Sequence, residues 1–164
     1  MPDGKTHAIA TIAATIATPI IVHELGISPT TANTTAVTAG CFMGLLLTPD
    51  LDVNHGCQSI QLIRDRIGKG AADVWQMIWM PYAVLIPHRS WLSHFPIAGT
   101  TFRLGYLYLV YFCIYLVVAA TGSVPMPHIH LNGEILRNSN LIWAFAGLSF
   151  ADTIHFFMDH LFKN

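Results

Sequence analysis

The most constraining feature of this sequence is an 18-residue run, from Leu104 to Thr121, that contains no charged side chain. A helix needs roughly 20 predominantly apolar residues to cross the hydrocarbon core of a bilayer. The whole chain agrees with this run, because 53% of its residues are hydrophobic, only 10% are charged, and its mean hydropathy is +0.51. Soluble domains carry about 25% charged residues, so this composition suits lipid better than water.

Three further apolar segments are candidate membrane spans. They run from about Ala8 to Val22, from Thr34 to Leu47 and from Leu141 to Met158. The first is interpreted as a retained span and not a cleaved signal peptide, because it lacks a clear small-residue cleavage site. The second contains Gly40 and Gly44, a GxxxG pair that permits close helix contact. The sequence therefore predicts an all-α fold, a polytopic membrane helix bundle with about four transmembrane helices.

The segment 58–87 differs from these spans. Basic residues open it, and Trp75 and Trp79 follow four residues apart, on one face of a helix. Its apolar part is broken by Pro81 and Pro87 and is too short to span. We expect an interfacial or re-entrant segment with its aromatic rings at the membrane boundary. No linker is evident, so residues 1–164 are predicted to form a single membrane-embedded domain.

The distribution of Lys and Arg predicts the orientation of the bundle. With four spans, the loop 48–103 and both chain ends share one side, and only Arg137 lies on the other. The positive-inside rule places the richer side in the cytoplasm. The formal net charge of −1 gives no reason to expect nucleic acid as a partner. The richer side carries Lys5, Arg64, Arg66, Lys69, Arg89, Arg103 and Lys163.

Histidine is unusually frequent, since the nine histidines outnumber the eight Lys and Arg residues. The three cysteines form no CxxC pair, so no disulfide framework and no cysteine-type zinc site is predicted. Four groups of His and Asp residues lie where predicted spans begin or end. They are His7; Asp50 with Asp52; His88 with His94; and Asp152 with His155 and Asp159.

Each group taken alone has a second interpretation. Asp152, His155 and Asp159 share one stripe of the last helix, and they either face a common ligand or hydrogen-bond only to one another and hold helices together. The sequence PDLD either presents two carboxylates to a cation or forms a plain turn. The sequence HRSWLSH also fits a polar loop at the membrane surface.

The topology favours a shared site. The four-span arrangement uses only hydropathy and the positions of Lys and Arg, yet it brings all four groups to the cytoplasmic side. We therefore predict one membrane-embedded metal-binding domain. Mixed imidazole and carboxylate ligands suit Zn, Mn or Fe(II) better than Ca. The predicted metal ligands are His7, Asp50, Asp52, His88, His94, Asp152 and His155, and His160 is a candidate outer partner.

The same residues resemble a family of uncharacterised metal-binding bacterial membrane proteins, which is similar to the inner-membrane-associated, metal-dependent hydrolases regulated by the DNA-damage response. The resemblance implies distant kinship with zinc-dependent phospholipase C and P1-type nucleases, which hydrolyse phosphoesters. It implies a bacterial inner membrane as the location and Zn as the metal, with Mn or Fe as alternatives. The matching pieces are Thr6-His7, Pro49-Asp50-Leu51-Asp52, His88-Arg89, Ser93-His94, and Asp152 with His155 and Asp159.

Three functions fit these expectations. The first is a metal-dependent hydrolase that activates water against a phosphoester or lipid-like substrate at the cytoplasmic face. Asp159 or Asp52 is then the candidate general base, and Arg89 can hold a phosphate through its planar guanidinium group. The second is a non-catalytic accessory or assembly subunit of a membrane complex, with a membrane-protein partner or a homo-oligomer. The third is a metal transporter, which the lack of a comparable acidic group on the other side disfavours.

Overall fold

The computed structural model describes residues 4–27, 29–53, 56–88, 90–125 and 137–162. This part of the chain is all-helical, which confirms the predicted fold class. It contains seven α-helices and one short 3-10 helix. In chain order they are α1 (Gly4–Glu24), α2 (Thr31–Met43), the 3-10 helix (Pro49–Asp52), α3 (Gln58–Arg66), α4 (Lys69–Leu85), α5 (Trp91–His94), α6 (Pro96–Ala120) and α7 (Ser139–Leu161).

Three of the described helices are long and apolar enough to cross a membrane. They are α1, α6 and α7, with 21, 25 and 23 residues, and they correspond to three of the four predicted spans. The remaining prediction, Thr34 to Leu47, covers α2 and the turns that follow it. With 13 residues α2 rises about 20 Å, which is less than the roughly 30 Å of a hydrocarbon core. Helix α2 ends early because the N–H of Gly44 bonds to the carbonyl of Cys41. This bond begins a series of tight turns.

The described helices expose many apolar side chains and bury several polar ones beside the apolar core. Only 11% of the apolar window of α6 is buried within the protein, and side chains such as Ile16 and Val117 are fully open to their surroundings, at 71% and 68% exposure. The buried set includes His7, Arg103 and Asp152 instead. Soluble proteins show the reverse arrangement, whereas lipid outside and polar groups facing the bundle interior are typical of membrane helices.

Threonine hydroxyls are accommodated in these apolar helices by the backbone one turn earlier. Thr11 donates to the carbonyl of His7 at 3.0 Å, and Thr18 donates to that of Ala14 at 2.8 Å. The same pattern occurs in α2, α6 and α7. Because each of these hydroxyls is satisfied within its own helix, the Thr-rich sequence is compatible with an apolar environment.

Glycine allows α2 and α7 to pack backbone against backbone. A Cβ on Gly40 would overlap with the carbonyl of Ala144, and a Cβ on Gly147 would overlap with the carbonyl of Val37. The predicted GxxxG pair thus contributes to a close helix contact, as small residues do in membrane proteins. This contact fixes the position of α2 along α7.

The contacts also fix the helix directions. Ser139, at the start of α7, donates to Asn33 near the start of α2 at 2.5 Å, and Gly44 lies against Ala151 at the other end. The two helices therefore run parallel. The start of α1 contacts the end of α7, so α1 runs the opposite way. One end of the bundle consequently collects the starts of α1 and α6, the helix α5, the 3-10 helix and the end of α7.

The segment 58–87 folds into α3 and α4, which pack on each other. Neither is among the helices long and apolar enough to cross a membrane. Trp79 is only 2% exposed, and its ring lies 5.3 Å from Tyr82 and 5.4 Å from Tyr106 of α6, measured between centroids. The ring of Trp79 is therefore covered by Tyr106 of α6, and its position at the membrane boundary stays a prediction.

We expect Gly147→Ala to lower the free energy of unfolding by about 1–3 kcal/mol, because the new methyl group would push α2 away from α7. Thermal unfolding in detergent, followed by circular dichroism, measures the change. Gly105→Ala is the matched control, since nothing lies within 4 Å of its Cβ position and alanine favours the helix. Equal stability of the two variants would contradict the close packing of α2 and α7.

Candidate metal centre

One end of the bundle gathers metal-ligand side chains from separate parts of the chain. Among the described residues they form three overlapping groups, and within each group the ligand atoms lie within 4.8 Å of one another. The sharing of His94 and His155 between groups makes them one continuous cluster. The groups are His7 with His155 and Asp159, Asp50 with His94 and His155, and Asp52 with His88 and His94.

The local sequence explains how the 3-10 helix presents its two carboxylates. Thr48 is the N-cap, and its hydroxyl accepts from the backbone N–H of Asp50 at 3.4 Å. Pro49 occupies the first position, where its missing N–H costs nothing. Leu51 is 1% exposed and anchors the turn in the apolar core. The sequence PDLD is thus both a turn and a source of ligand-type side chains.

The tightest convergence involves two imidazoles and two carboxylates. Nε2 of His155 lies 3.4 Å from Oδ1 of Asp50 and 3.6 Å from Oδ2 of Asp159. Nε2 of His94 lies 3.9 Å and 3.8 Å from the same two oxygens. Ligands bound tetrahedrally to zinc at about 2.0–2.1 Å are separated by about 3.3 Å. A cation therefore fits among Asp50, His94 and His155, whose ligand atoms lie within 4.8 Å of one another, with Asp159 beside them as a further donor.

Two of these four atoms are buried without a hydrogen-bond partner in the described structure. They are Nε2 of His94 and Nε2 of His155, whose residues are 7% and 5% exposed. Leaving a buried polar atom unsatisfied costs about 1–3 kcal/mol. A metal ion would satisfy both nitrogens at once, so the donor set fits a divalent cation.

Asp52 orients two imidazoles by contacting the Nδ1 atom of each ring. Its Oδ1 lies 2.7 Å from Nδ1 of His88, and its Oδ2 lies 3.4 Å from Nδ1 of His94. The hydroxyl of Ser93 is a further 2.9 Å partner of Nδ1 of His94. A proton on Nδ1 leaves the lone pair of Nε2 for a metal, which is the carboxylate–histidine arrangement of many metal sites. Asp52 is thus better placed to orient ligands than to be one.

Asp159 faces the cluster with both of its oxygens. Oδ1 lies 3.2 Å from Nε2 of His7, whereas Oδ2 faces His94 and His155. The ring of His7 also stacks on His155 with a centroid separation of 3.9 Å. A carboxylate between two sets of imidazoles can serve one cation or bridge two. Asp159, predicted as a general base, therefore lies among the candidate ligands.

The electrostatics of the residues outside the long helices favour metal-binding protonation states. Burial alone would raise the pKa of Asp50, but the adjacent His155, with His94 and His7, lowers it to about 2. Burial lowers the pKa of His94 to about 4, against the opposing effect of Asp52. At neutral pH the carboxylate is ionised and the imidazole is neutral, which are the forms that bind metals.

Cys57 is close to the cluster but is not suited to bind a metal. Burial raises the pKa of its thiol to about 11, and its sulfur lies 3.1 Å from the hydroxyl of Ser59. The thiol therefore stays protonated at neutral pH, whereas metals bind the thiolate.

Asp152 does not join the cluster, which corrects the predicted ligand set. Its Oδ2 accepts hydrogen bonds from the guanidinium of Arg103 and the hydroxyl of Thr100. Among the described residues it belongs to none of the three ligand groups. The guanidinium of Arg103 already neutralises this carboxylate, and the pair holds α6 and α7 together.

Arg103 is a residue whose role the sequence did not reveal. It is 0% exposed, and its Nη1 donates to the carbonyl of Ser93 at 2.8 Å while Nη2 donates to Asp152. Gly99 permits this approach, because a Cβ there would overlap with the same Ser93 carbonyl. Arg103 thereby fixes the short helix that carries His94. Its position at the edge of an uncharged run was the available signal, since a charge in lipid needs a partner.

The remaining predicted residues differ in position. His88 is the most exposed side chain of the cluster, at 40%. His160 is exposed and its Nδ1 lies 3.0 Å from the carbonyl of Phe156, so it is not an outer partner of the cluster. Arg89 lies outside the described residues, and its contact with a phosphate stays a prediction.

Comparison with known proteins identifies the family. A family model described as "Uncharacterized metal-binding protein (DUF2227)" matches residues 2–164, so the chain belongs to that family. This confirms the predicted membership of a metal-binding family over nearly the whole chain. No curated protein and no solved structure matches the chain. Kinship with hydrolases and a bacterial origin are therefore outside what these comparisons show.

We expect Arg103→Met to lower the free energy of unfolding by about 3–5 kcal/mol, because Asp152 would remain buried without its cation. Adding Asp152→Leu should recover part of this loss, since two apolar side chains leave no unpaired charge. A double-mutant cycle of unfolding in detergent measures the coupling. Strictly additive losses would contradict the ion pair.

Proposed function

We propose that this member of a metal-binding family is a membrane-embedded, metal-dependent hydrolase acting on a lipid-like phosphoester at the cytoplasmic face. One observation supports the proposal. Two imidazole nitrogens that lack a hydrogen-bond partner lie close to two carboxylates inside a bundle with an apolar exterior. Zn is the first choice of metal, with Mn or Fe as alternatives, because nitrogen and oxygen donors without thiolate suit all three.

The proposed main site uses four ligands, and His7 with the second oxygen of Asp159 offers room for a further cation. A bound cation of this kind lowers the pKa of a coordinated water and stabilises negative charge that develops on a phosphoryl oxygen. The ligands of the main site are His94, His155, Asp50 and Asp159.

The pair of Asp52 and His88 supports proton transfer at the mouth of the site. With Nδ1 of His88 donating to the buried Asp52 at 2.7 Å, Nε2 is left as a proton acceptor on a 40% exposed imidazole. A carboxylate behind an imidazole holds it in one tautomer and increases its basicity. In this proposal Asp52 acts through His88, and the neighbouring Arg89 binds the phosphate through its guanidinium group.

The location is part of the same proposal. The excess of Lys and Arg on the side of the cluster supports a cytoplasmic site, and the apolar exterior supports membrane lipid as the partner. The bacterial inner membrane follows from the family resemblance alone. Nucleic acid is not a proposed partner, because the chain carries no net positive charge.

A non-catalytic accessory subunit is the second candidate, and the burial of the ligands favours it. His7, His94 and His155 are each at most 7% exposed, which suits a closed, structural metal site with a membrane-protein partner or a second copy of the chain. Transport is less favoured, because the buried cation Arg103 lies behind the cluster. All ligand groups found among the described residues lie at the one end.

We expect protein purified without chelator to contain a divalent metal, and the double variant Asp50→Asn, His94→Gln to lose most of it. Both substitutions remove ligand atoms of the main site while keeping the side-chain size. Elemental analysis measures the metal per chain. His23→Gln is the control, since its imidazole is 87% exposed and far along α1 from the cluster. Unchanged metal in the double variant would contradict the proposed ligands.

We expect the metal-loaded protein to release headgroups from phosphoester lipids. His88→Gln should lower kcat by about 10²–10⁴-fold without loss of metal, which is the usual contribution of a general acid or base. His160→Gln is the control, because that exposed imidazole contacts only its own helix. The cleavage rates of the wild type and of both variants are measured in detergent micelles that contain phospholipids with different headgroups. A metal-loaded protein that cleaves none of them would contradict catalysis and favour the accessory subunit.

A further inference from the structure

An apolar groove lies between the C-terminal half of α4 and the first half of α6. Its volume is about 420 Å³. Leu85 and Ile86 form the α4 wall, and Phe102, Gly105 and Leu109 form much of the α6 wall. Leu85, Phe102 and Leu109 are exposed, so the groove is open toward the surroundings of the bundle.

The hydroxyls that line the groove are either bonded or buried: that of Tyr82 lacks a hydrogen-bond partner, but it is buried. The hydroxyls of Thr101 and Tyr106 already donate to backbone carbonyls, at 2.8 Å and 2.5 Å. The hydroxyl of Tyr82 is buried beneath the groove, and burial raises its pKa to about 12. The walls therefore match an apolar occupant.

One end of the groove reaches the candidate metal centre. Ile86 lines the groove, and two residues later His88 contacts Asp52 of the cluster. Two residues span at most about 7 Å, so the end of the groove and the exposed imidazole are neighbours.

The other end extends along a helix that is apolar enough to cross a membrane. From Thr101 to Leu109 the groove follows α6 for about 12 Å at the helical rise per residue. One leaflet contributes about 15 Å of hydrocarbon, half of the bilayer core. The groove is thus about as long as one leaflet is deep.

We propose that this groove binds one acyl chain of a bilayer phospholipid whose phosphoester headgroup lies at the His88 end. The inference rests on the proposed hydrolase function for the role of the headgroup, and it names phospholipids as the substrate class. A soluble phosphoester would leave the groove unused. A helix of a partner protein would match the apolar walls but would bring no anionic group to the cluster.

The chain offers a matched pair of variants for the test. Gly105 lies in the groove with nothing within 4 Å of its Cβ position, so Gly105→Leu fills the groove without displacing the backbone. Gly70 also has open space around its Cβ position, and it lies on α4 outside the groove. Gly70→Leu is therefore the control for an added leucine on an exposed helix face.

The primary measurement is binding. The full chain in phosphatidylcholine vesicles is photolysed with a phospholipid that carries a diazirine in one acyl chain, and the crosslinked peptides are mapped by mass spectrometry. We expect crosslinks within 82–86 and 101–109. Gly105→Leu should lower them about tenfold, equivalent to about 1.4 kcal/mol of binding, and Gly70→Leu should leave them unchanged. Excess unlabelled phospholipid should compete, and a short-chain phosphoester with the same headgroup should not.

Two results would overturn the proposal that the groove binds an acyl chain. One is crosslinking spread evenly over the apolar faces of α1, α6 and α7, as expected for ordinary surrounding lipid. The other is crosslinking within the groove that Gly105→Leu does not reduce.

Turnover separates this proposal from the hydrolase proposal. If Gly105→Leu slows cleavage of a long-chain phosphoester but not of a short-chain one, both proposals are supported. If both substrates are cleaved at the wild-type rate, the groove proposal fails and the hydrolase stands. If the groove is crosslinked as expected and the metal-loaded protein cleaves neither substrate, the hydrolase fails and the acyl-chain site stands.

Discussion

Polar groups buried in an apolar bundle must find partners, and this requirement organises the whole structure. Isolated ions and unpaired donors are costly in low dielectric, and apolar surroundings offer them no hydrogen bonds. Arg103 and Asp152 meet the requirement with each other. The His and Asp residues beside them meet it only in part, because two imidazole nitrogens of the described structure have no hydrogen-bond partner. A cation is the partner whose charge also matches the carboxylates.

The structure divides its buried charges into two levels with different roles. The inner level, Arg103 with Asp152, is an ion pair that joins α5, α6 and α7. The outer level carries the candidate ligands and stays incomplete. The short helix α2 supports both levels, because it packs closely on α7 and its terminal turns lead into the 3-10 helix that places Asp50 against His155. The contact between α2 and α7, together with the pair of Arg103 and Asp152, thus positions the segments that carry the candidate ligands.

The sequence predicted the features that lipid imposes and missed those that depend on depth and packing. The apolar runs of α1, α6 and α7 were recognisable, because a membrane selects for length and hydropathy. Helical spacing placed Asp152 and Asp159 on one face, but it does not say which of them reaches the cluster and which meets Arg103. It also placed Trp75 and Trp79 together without saying which neighbour covers them. The early end of α2 depends on local turns that hydropathy does not detect.

X-ray absorption spectroscopy of the zinc-loaded protein tests the central claim most directly, because it reports the atoms around the metal. A shell of nitrogen and oxygen at about 2.0–2.1 Å is expected, with outer scattering from imidazole and no sulfur at about 2.3 Å. The imidazole contribution should fall when His94 is replaced by Gln. A sulfur shell, or an oxygen shell without imidazole, would contradict a site built from these converging His and Asp side chains.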